Sequence, residues 1–121
     1  MKKVLIVEDD IFLQGLEASK LEREGYKTIT ASTGEEAMEK INEPEINVIL
    51  LDLMLPNFDG FDILKKVRET EKSKNIPVIV FSNLSEQKAI DRSKELKATD
   101  FMIKSNFTLD ELIKHVKEVS K

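Results

Sequence analysis

The sequence predicts one α/β domain, in which a parallel sheet of five strands is covered by helices on both faces. Three apolar runs lack any alternation with polar residues, and such continuous runs are typical of strands buried on both sides. These runs are Val4–Val7, Val48–Leu51 and Val78–Phe81. Longer amphipathic stretches separate them, and strands that alternate with helices indicate a parallel sheet. The length of 121 residues suits a single domain.

Two further segments are predicted as strands at or near the edges of the sheet, Lys27–Ala31 and Phe101–Ile103. The first helix lies between the first two strands. It is expected to end at Gly25, because glycine readily takes the backbone conformation that closes a helix. Its predicted inner face consists of Phe12, Leu16 and Leu21.

Local signals predict the starts of the later helices. Capping boxes, in which two residues three apart exchange hydrogen bonds with the backbone, are predicted at Ser32–Glu35 and Thr108–Glu111. Ser85 is expected to open the fourth helix. The apolar residues expected to face the sheet are Ala37, Met38 and Ile41 in the second helix, Phe61, Ile63, Leu64 and Val67 in the third, Ala89, Ile90 and Leu96 in the fourth, and Leu112, Ile113, Val116 and Val119 in the fifth.

The composition excludes several classes of protein. There is no cysteine, so disulfides and thiolate chemistry are ruled out. A net charge of −4 argues against broad electrostatic binding to nucleic acid or anionic lipid. The first apolar run stops at Glu8, too early for a signal peptide, and no segment approaches the roughly 18 apolar residues that span a bilayer. The sequence therefore predicts a cytoplasmic protein that contacts neither nucleic acid nor membrane.

Acidic residues stand directly after two of the predicted strands. Glu8, Asp9 and Asp10 follow the first strand, and Asp52 follows the third. In an open doubly wound sheet, ligands bind outside these strand ends where the strand order reverses. Clustered carboxylates repel one another unless a cation neutralises them, and Mg²⁺ suits a site of one or two carboxylates and phosphate. The alternative is that Glu8–Asp10 only cap the first helix.

Ser82 and Lys104 end the fourth and fifth predicted strands, at the same edge of the sheet. Taken singly, each is most simply a turn or surface residue. Together with the acids they form a set that suits phosphoryl transfer, which needs an in-line nucleophile and positive charge around the transferring oxygens. Asp52 can be that nucleophile, because carboxylates form aspartyl phosphates. Lys104, and Mg²⁺ held by Glu8, Asp9 and Asp52, would supply the positive charge.

These residues and their order resemble the receiver domains of response regulators, the CheY-like family of two-component signalling systems. The matching segments cover essentially the whole chain; they are Val4–Asp10, Leu50–Pro56 with Asp59-Gly60, Pro77–Ser82 and Phe101–Lys104. The resemblance implies a flavodoxin-like (βα)₅ fold with strand order 2-1-3-4-5. It also implies one receiver domain over residues 1–121, without an effector domain in these residues, that acts in signalling and is not a metabolic enzyme. Whether this domain is free-standing or part of a longer regulator is left open.

The resemblance further implies roles for individual residues. Asp52 would accept the phosphoryl group, and Lys104 would contact it. Ser82 and Phe101 would be the switch residues that move inward and remodel the face of the fourth helix, fifth strand and fifth helix. The implied ligands for Mg²⁺, or Mn²⁺, are Glu8, Asp9, Asp52 and the backbone carbonyl of Met54.

The implied partners are a histidine kinase or phosphotransfer protein as phosphodonor and a downstream protein on the remodelled face. A monomer is expected, and dimerisation on phosphorylation is left open. Two other functions are weighed against this one. A phosphorylation-independent interaction module is disfavoured by the complete residue set. A flavodoxin-type cofactor binder is disfavoured because acids after the first strand would repel a phosphate.

Several positions depart from the family pattern or qualify it. Ser105 follows Lys104 where the family has proline, which leaves open whether that peptide is cis. Asn83 and Lys97 stand where a small residue and a glycine are usual. His115, the only histidine, is expected at the surface of the last helix and outside the site.

The lifetime of the phosphorylated state follows from two apolar residues. Met54 and Leu84 stand two residues beyond Asp52 and Ser82, where they would flank the path of an attacking water. Neither side chain can orient that water through a hydrogen bond. The sequence therefore predicts slow loss of the phosphoryl group.

Overall fold

The computed structural model describes residues 1–121 and contains five main strands and five α-helices. The strands are β1 (Lys3–Val7), β2 (Lys27–Ala31), β3 (Ile46–Leu51), β4 (Val78–Ser82) and β5 (Asp100–Ile103). The helices are α1 (Ile11–Arg23), α2 (Gly34–Lys40), α3 (Gly60–Glu69), α4 (Gln87–Glu95) and α5 (Leu109–Val119). A short antiparallel pair joins Met54–Leu55 to Phe58–Asp59, and a 3₁₀ turn covers Lys104–Asn106.

The five main strands are parallel and lie in the order β2-β1-β3-β4-β5. The predicted (βα)₅ architecture and strand order are therefore confirmed, and the two weaker strands, β2 and β5, are the edge strands as expected. None of the helices combines the length and the apolar character needed to cross a bilayer.

Two hydrophobic cores lie on opposite faces of the sheet, and each central strand contributes to both. In β1, Leu5 and Val7 face the core beneath α2, α3 and α4, whereas Val4 and Ile6 face the core beneath α1 and α5. Successive side chains of a strand point to opposite faces, so a strand covered on both sides must be apolar at every position. This explains why the central strands read as continuous apolar runs.

The predicted inner face of α1 is wrong in two of its three residues. Phe12 and Leu16 are 77 % and 40 % exposed, whereas Gln14, Glu17 and Leu21 are buried. The buried residues are three and four positions apart and follow the helical period. The apolar pattern predicted the wrong face because two of the three buried positions of α1 carry polar side chains.

Two predicted helix starts are also shifted. The N-cap of α2 is Thr33, whose hydroxyl accepts a hydrogen bond from the amide of Glu36 at 3.1 Å. The Glu36 carboxylate accepts from the amide of Ser32 and not from that of Thr33, so the helix starts one residue later than predicted and lacks the reciprocal bond of a capping box. Ser85 does not open α4, whose N-cap Glu86 makes no capping bond through its side chain. The predicted capping box of the last helix is present.

The turn before β5 keeps a left-handed backbone although it lacks the glycine usual there. Lys97 has a φ of 65°, and its amide and carbonyl are both hydrogen-bonded, to the carbonyl of Lys94 and to Nε of Arg68. A residue with a Cβ pays about 1–2 kcal/mol in this region. These bonds, together with the path of the chain from α4 into β5, outweigh that cost.

We therefore expect Lys97→Gly to raise the free energy of unfolding by about 0.5–1 kcal/mol, because relief of strain exceeds the added flexibility of the unfolded chain. Urea denaturation measures this change. The control is Lys94→Gly, inside α4, which should lower stability by about 1 kcal/mol. A loss of stability in Lys97→Gly would mean that the lysine side chain matters more than the backbone.

Candidate functional site

The candidate site lies at the carboxyl ends of the strands, where β1 and β3 are neighbours. Glu8 and Asp9 follow β1, Asp52 follows β3, and Lys104 follows β5. One carboxylate oxygen from each of the three acids can be chosen so that all three lie within 4.8 Å of one another. Residues more than forty positions apart in sequence are thus brought into one crevice.

Lys104 joins two of these acids through a buried pair of contacts. Its Nζ lies 2.6 Å from Oε1 of Glu8 and 2.7 Å from Oδ2 of Asp52. The carboxylate side chains are only 3 % and 5 % exposed, so the charges interact with little screening by water. The Lys104–Ser105 peptide is trans, because the chain has no cis peptide bond. Lys104 thus reaches both acids with Ser105 as the next residue.

Burial and pairing act in opposite directions on the ionisable groups of the crevice. Burial raises the pKa of Glu8 to about 7, although the hydrogen bond from Lys104 opposes this rise. Burial alone would lower the pKa of Lys104, but the bonds to Asp52 and Glu8 outweigh it and raise that pKa above its ordinary value. The lysine is therefore charged, and the surplus of negative charge remains on the carboxylates.

The Asp52 carboxylate is fixed by three donors. Ser82 Oγ and the backbone amide of Met54 donate to Oδ1 at 2.8 and 2.9 Å, and Lys104 donates to Oδ2 at 2.7 Å. Ser82 is fully buried at the end of β4. A carboxylate held in this way has a fixed orientation toward the crevice.

The loop that follows Asp52 is held against the first residue of α3. A Cβ on Gly60 would lie 2.5 Å from Cα of Leu53, so only glycine allows this close approach. Asp59 caps the helix by accepting from the amide of Phe61 at 2.9 Å. Asp59 and Gly60 therefore contribute to the site by fixing the position of the loop that follows Asp52.

The other predicted residues lie around this centre. Asp10 caps α1 by accepting from the amide of Leu13 at 3.1 Å, so the helix-capping alternative holds for this acid. Phe101 is half-buried on β5 and packs against the core beneath α4. Asn83 is exposed and makes no hydrogen bond to Asp52.

His115 lies where it was expected, at the boundary of the last helix and outside the crevice. Its Nδ1 lies 2.7 Å from Oδ2 of Asp100, and its ring packs edge-on against Phe107. These contacts account for the histidine without a role in the crevice.

The sequence analysis missed two polar residues on the buried side of α1. Gln14 Nε2 donates to the carbonyl of Glu8 at 2.9 Å and to Ser32 Oγ at 3.1 Å. Glu17 is 2 % exposed, and its Oε1 has no hydrogen-bond partner. Burial, and next the charge of Glu8, raise the pKa of Glu17 to about 8. Leu21 was predicted to be buried, and Gln14 and Glu17 lie on the same helix face at helical spacing from it. This spacing is the signal that could have identified the two polar residues.

The donor set of the crevice suits a hard divalent cation. Three carboxylates supply oxygen ligands, and the surplus negative charge is what such an ion neutralises. There is no histidine or cysteine among the candidate ligands, which disfavours zinc and other metals that prefer nitrogen or sulfur. Of the common ions, Mg²⁺ and Mn²⁺ fit these residues.

Comparison with known proteins gives consistent results. A family model of the response regulator receiver domain matches residues 4–117. The CpxR homolog of Haemophilus influenzae, a transcriptional regulatory protein, is 40 % identical over an alignment of 121 positions, which covers 98 % of this chain and 50 % of that protein. The chain spans about half the length of the curated relatives it matches.

Solved structures share the fold over the whole chain. The receiver domain of the Francisella response regulator 1452 has a TM-score of 0.87 at 32 % identity, covering 99 % of this chain and 97 % of that one. The receiver domain of the sensor histidine kinase PA1611 from Pseudomonas aeruginosa, solved with magnesium in its active site cleft, has a TM-score of 0.86 at 22 % identity, covering 99 % and 98 %. At that identity the second structure shows the fold alone.

Proposed function

Because the chain belongs to the response regulator receiver domain family of two-component signalling, we propose that Asp52 accepts a phosphoryl group from a histidine kinase or phosphotransfer protein. The observation that carries this proposal is the buried contact of Lys104 with Asp52 and Glu8. A nucleophilic carboxylate and a cation that can follow the phosphoryl oxygens are what such a transfer requires. The module signals and does not turn over a metabolite.

Glu8, Asp9 and Asp52 would hold Mg²⁺, together with the backbone carbonyl of Met54. Bound Mg²⁺ would neutralise charge on the transferring group. An oxygen of Asp52 forms the bond to phosphorus while the bond from phosphorus to the donor's imidazole nitrogen breaks. Lys104 keeps its proton and contacts the transferred group, so that the product is an aspartyl phosphate beside a lysine.

Ser82 and Phe101 would carry the signal away from Asp52. The Ser82 hydroxyl now donates to Oδ1 of Asp52. Formation of the acyl phosphate would move the negative charge from the carboxylate to the phosphoryl oxygens, which would then be the stronger acceptors for this hydroxyl. Phe101 lies on the adjacent strand, paired with Val80, two residues before Ser82. We propose that Phe101 turns inward when Ser82 moves, and that the face of α4, β5 and α5 then binds a downstream protein.

The phosphodonor would dock on an exposed apolar patch at the mouth of the crevice. Ile11, Phe12 and Leu16 on α1 are 63 %, 77 % and 40 % exposed, and Met54 in the loop after Asp52 is 52 % exposed. Apolar side chains grouped around a polar site indicate a contact surface. Ile11 directly follows Asp10, and Met54 lies two residues after Asp52, so a donor bound to these residues would present its phosphohistidine to Asp52.

The remaining expectations stay predictions. We propose that residues 1–121 act as one receiver domain, and the net charge of −4 supports a domain that makes no direct contact with nucleic acid. The longer relatives are named as transcriptional regulators, which is a statement about those proteins. The phosphorylation-independent module is not favoured, because the residues that we propose for phosphoryl transfer lie together in one crevice.

The test is incubation with acetyl phosphate and Mg²⁺, followed by intact mass measurement. We expect one phosphoryl adduct that disappears when EDTA replaces Mg²⁺ and in Asp52→Ala. Asp62→Ala, an exposed acid on α3, should retain the adduct. Folded wild-type protein without an adduct, or an adduct that persists in Asp52→Ala, would rule out Asp52 as the acceptor.

The phosphorylated state should persist for minutes or longer in Mg²⁺ buffer. Met54 is exposed and Leu84 is half-buried near the acceptor, and neither side chain can hydrogen-bond an attacking water. Met54→Asn supplies such a group and should shorten the half-life several-fold, since a positioned hydrogen-bonding group assists attack by water. Phosphate release measured over time gives the half-lives of the phosphorylated wild type and of phosphorylated Met54→Asn. A wild-type half-life of seconds would contradict the prediction.

A further inference from the structure

Gln14 connects the acidic loop after β1 to the end of β2. Its Nε2 donates to the carbonyl of Glu8 at 2.9 Å, to Ser32 Oγ at 3.1 Å, and at a longer 3.4 Å to the carbonyl of Ala31. The side chain is buried, with 8 % of its surface exposed. A glutamine buried among three acceptors is held in one orientation by them.

These bonds fix the peptide group that joins Glu8 to Asp9. The amide of Glu8 donates to the carbonyl of Ala31 at 3.0 Å, which completes the ladder between β1 and β2. The carbonyl of Glu8 accepts from Gln14 Nε2, which also contacts that same carbonyl of Ala31. Because the amide and the carbonyl of Glu8 are both held, the directions in which the Glu8 and Asp9 carboxylates leave the backbone are set as well.

Gln14 is itself anchored by the first turn of α1. Its amide donates to the carbonyl of Asp10 at 2.8 Å, and the Asp10 side chain caps the same turn. The acidic loop therefore begins at a strand end, which Gln14 holds from one side, and ends in the helix that carries Gln14. A displacement of this side chain would free the loop at Glu8 without breaking the helix.

We propose that Gln14 is a positioning residue for the divalent cation: it holds the Glu8 carbonyl so that Glu8 and Asp9 face the crevice together with Asp52. This inference rests on the proposed function, because it assumes that the three acids bind Mg²⁺. Gln14 contacts none of the reacting atoms and acts through the backbone of Glu8. Partners that orient metal ligands in this way typically contribute 10–100-fold to metal affinity.

The experiment is an isothermal titration of metal-free protein with MgCl₂, for the wild type and three variants. Gln14→Met keeps the length and volume of the side chain but removes its donors, and we expect its Kd for Mg²⁺ to rise about tenfold. Ser32→Ala removes only the second acceptor, so we expect less than a twofold change. Leu21→Val is buried on the same helix face, and it should lower the unfolding temperature with the Kd unchanged.

A purely structural role for Gln14 would lower the unfolding temperature but leave the Kd of the folded protein unchanged. That result, with Mg²⁺ bound normally by the wild type, overturns the inference and leaves the proposed function intact. Wild-type protein that binds no Mg²⁺ overturns both. If Gln14→Met does not fold, Gln14→Asn decides, because it keeps the amide but is one methylene too short to reach Glu8. A Kd raised about tenfold in Gln14→Asn supports the inference, and an unchanged Kd overturns it.

Discussion

Lys104→Met should lower the free energy of unfolding by about 3 kcal/mol at pH 8 without divalent cations, and added Mg²⁺ should restore most of this loss. The lysine contacts both Glu8 and Asp52, whose side chains are almost fully buried. Removing one partner from a buried ionic group costs about 3–5 kcal/mol, because the remaining charge stays buried without compensation. A divalent cation between the same carboxylates replaces the missing charge.

Urea denaturation in EDTA and in Mg²⁺ measures this effect, and repetition at pH 5 tests its cause. Burial already raises the pKa of Glu8 to about 7, so at pH 5 a proton can neutralise the Glu8 carboxylate in the variant. The loss should therefore be smaller at pH 5 than at pH 8. Lys114→Met, an exposed lysine on α5, is the matched control and should change stability by less than about 0.5 kcal/mol. A loss in Lys104→Met that neither Mg²⁺ nor acid reduces would point to packing of the lysine stem.

Glu17→Gln should raise the free energy of unfolding by about 3 kcal/mol at pH 8 and change it little at pH 5. Burial, with the charge of Glu8 adding to it, raises the pKa of Glu17 from its ordinary value of 4.5 to about 8. Between these two values the folded protein binds more protons than the unfolded chain. Stability therefore falls as the pH rises from about 4.5 to about 8, and the glutamine variant, which cannot ionise, escapes this part of the fall.

The measurement is a series of urea denaturations between pH 5 and pH 9, in EDTA, for the wild type and the variant. Glu39→Gln, an exposed acid on α2, is the control and should follow the wild-type curve. Glu17→Leu should be at least as stable as Glu17→Gln at pH 8, because it also removes a buried oxygen that has no hydrogen-bond partner. Parallel pH curves for the wild type and Glu17→Gln would show that Glu17 is not the group that titrates.

The sheet was predictable because strands buried on both faces leave an unmistakable pattern. Val4–Val7 is apolar at every position since its residues alternate between two cores. The site followed from the same pattern, because residues directly after the strands of a parallel sheet meet at one edge. Asp52 and Lys104 therefore converge as expected, although they are fifty-two positions apart in sequence.

The buried face of α1 and the backbone conformation of Lys97 could not be predicted, because they depend on contacts between segments that are distant in sequence. Gln14 is buried although it is polar, because Glu8 and Ser32 offer it partners from outside the helix. Glu17 is buried on the same face, while the apolar Phe12 and Leu16 are exposed. Lys97 takes a backbone conformation that favours glycine, because its hydrogen bonds and the path of the chain into β5 require it. In each case the environment outweighs the preference of the residue itself.

The order of the sheet places the only lysine of the crevice directly after an edge strand, which pairs with β4 alone. In native-state hydrogen exchange, such peripheral units are the ones that open at the lowest free-energy cost. Detachment of β5 and α5 would withdraw Lys104 and leave the carboxylates unneutralised, so this local opening carries an electrostatic cost as well as lost hydrogen bonds. A bound divalent cation lowers that cost. A divalent cation bound in the crevice would therefore make β5 and α5 easier to open, while it holds the acidic side chains in place.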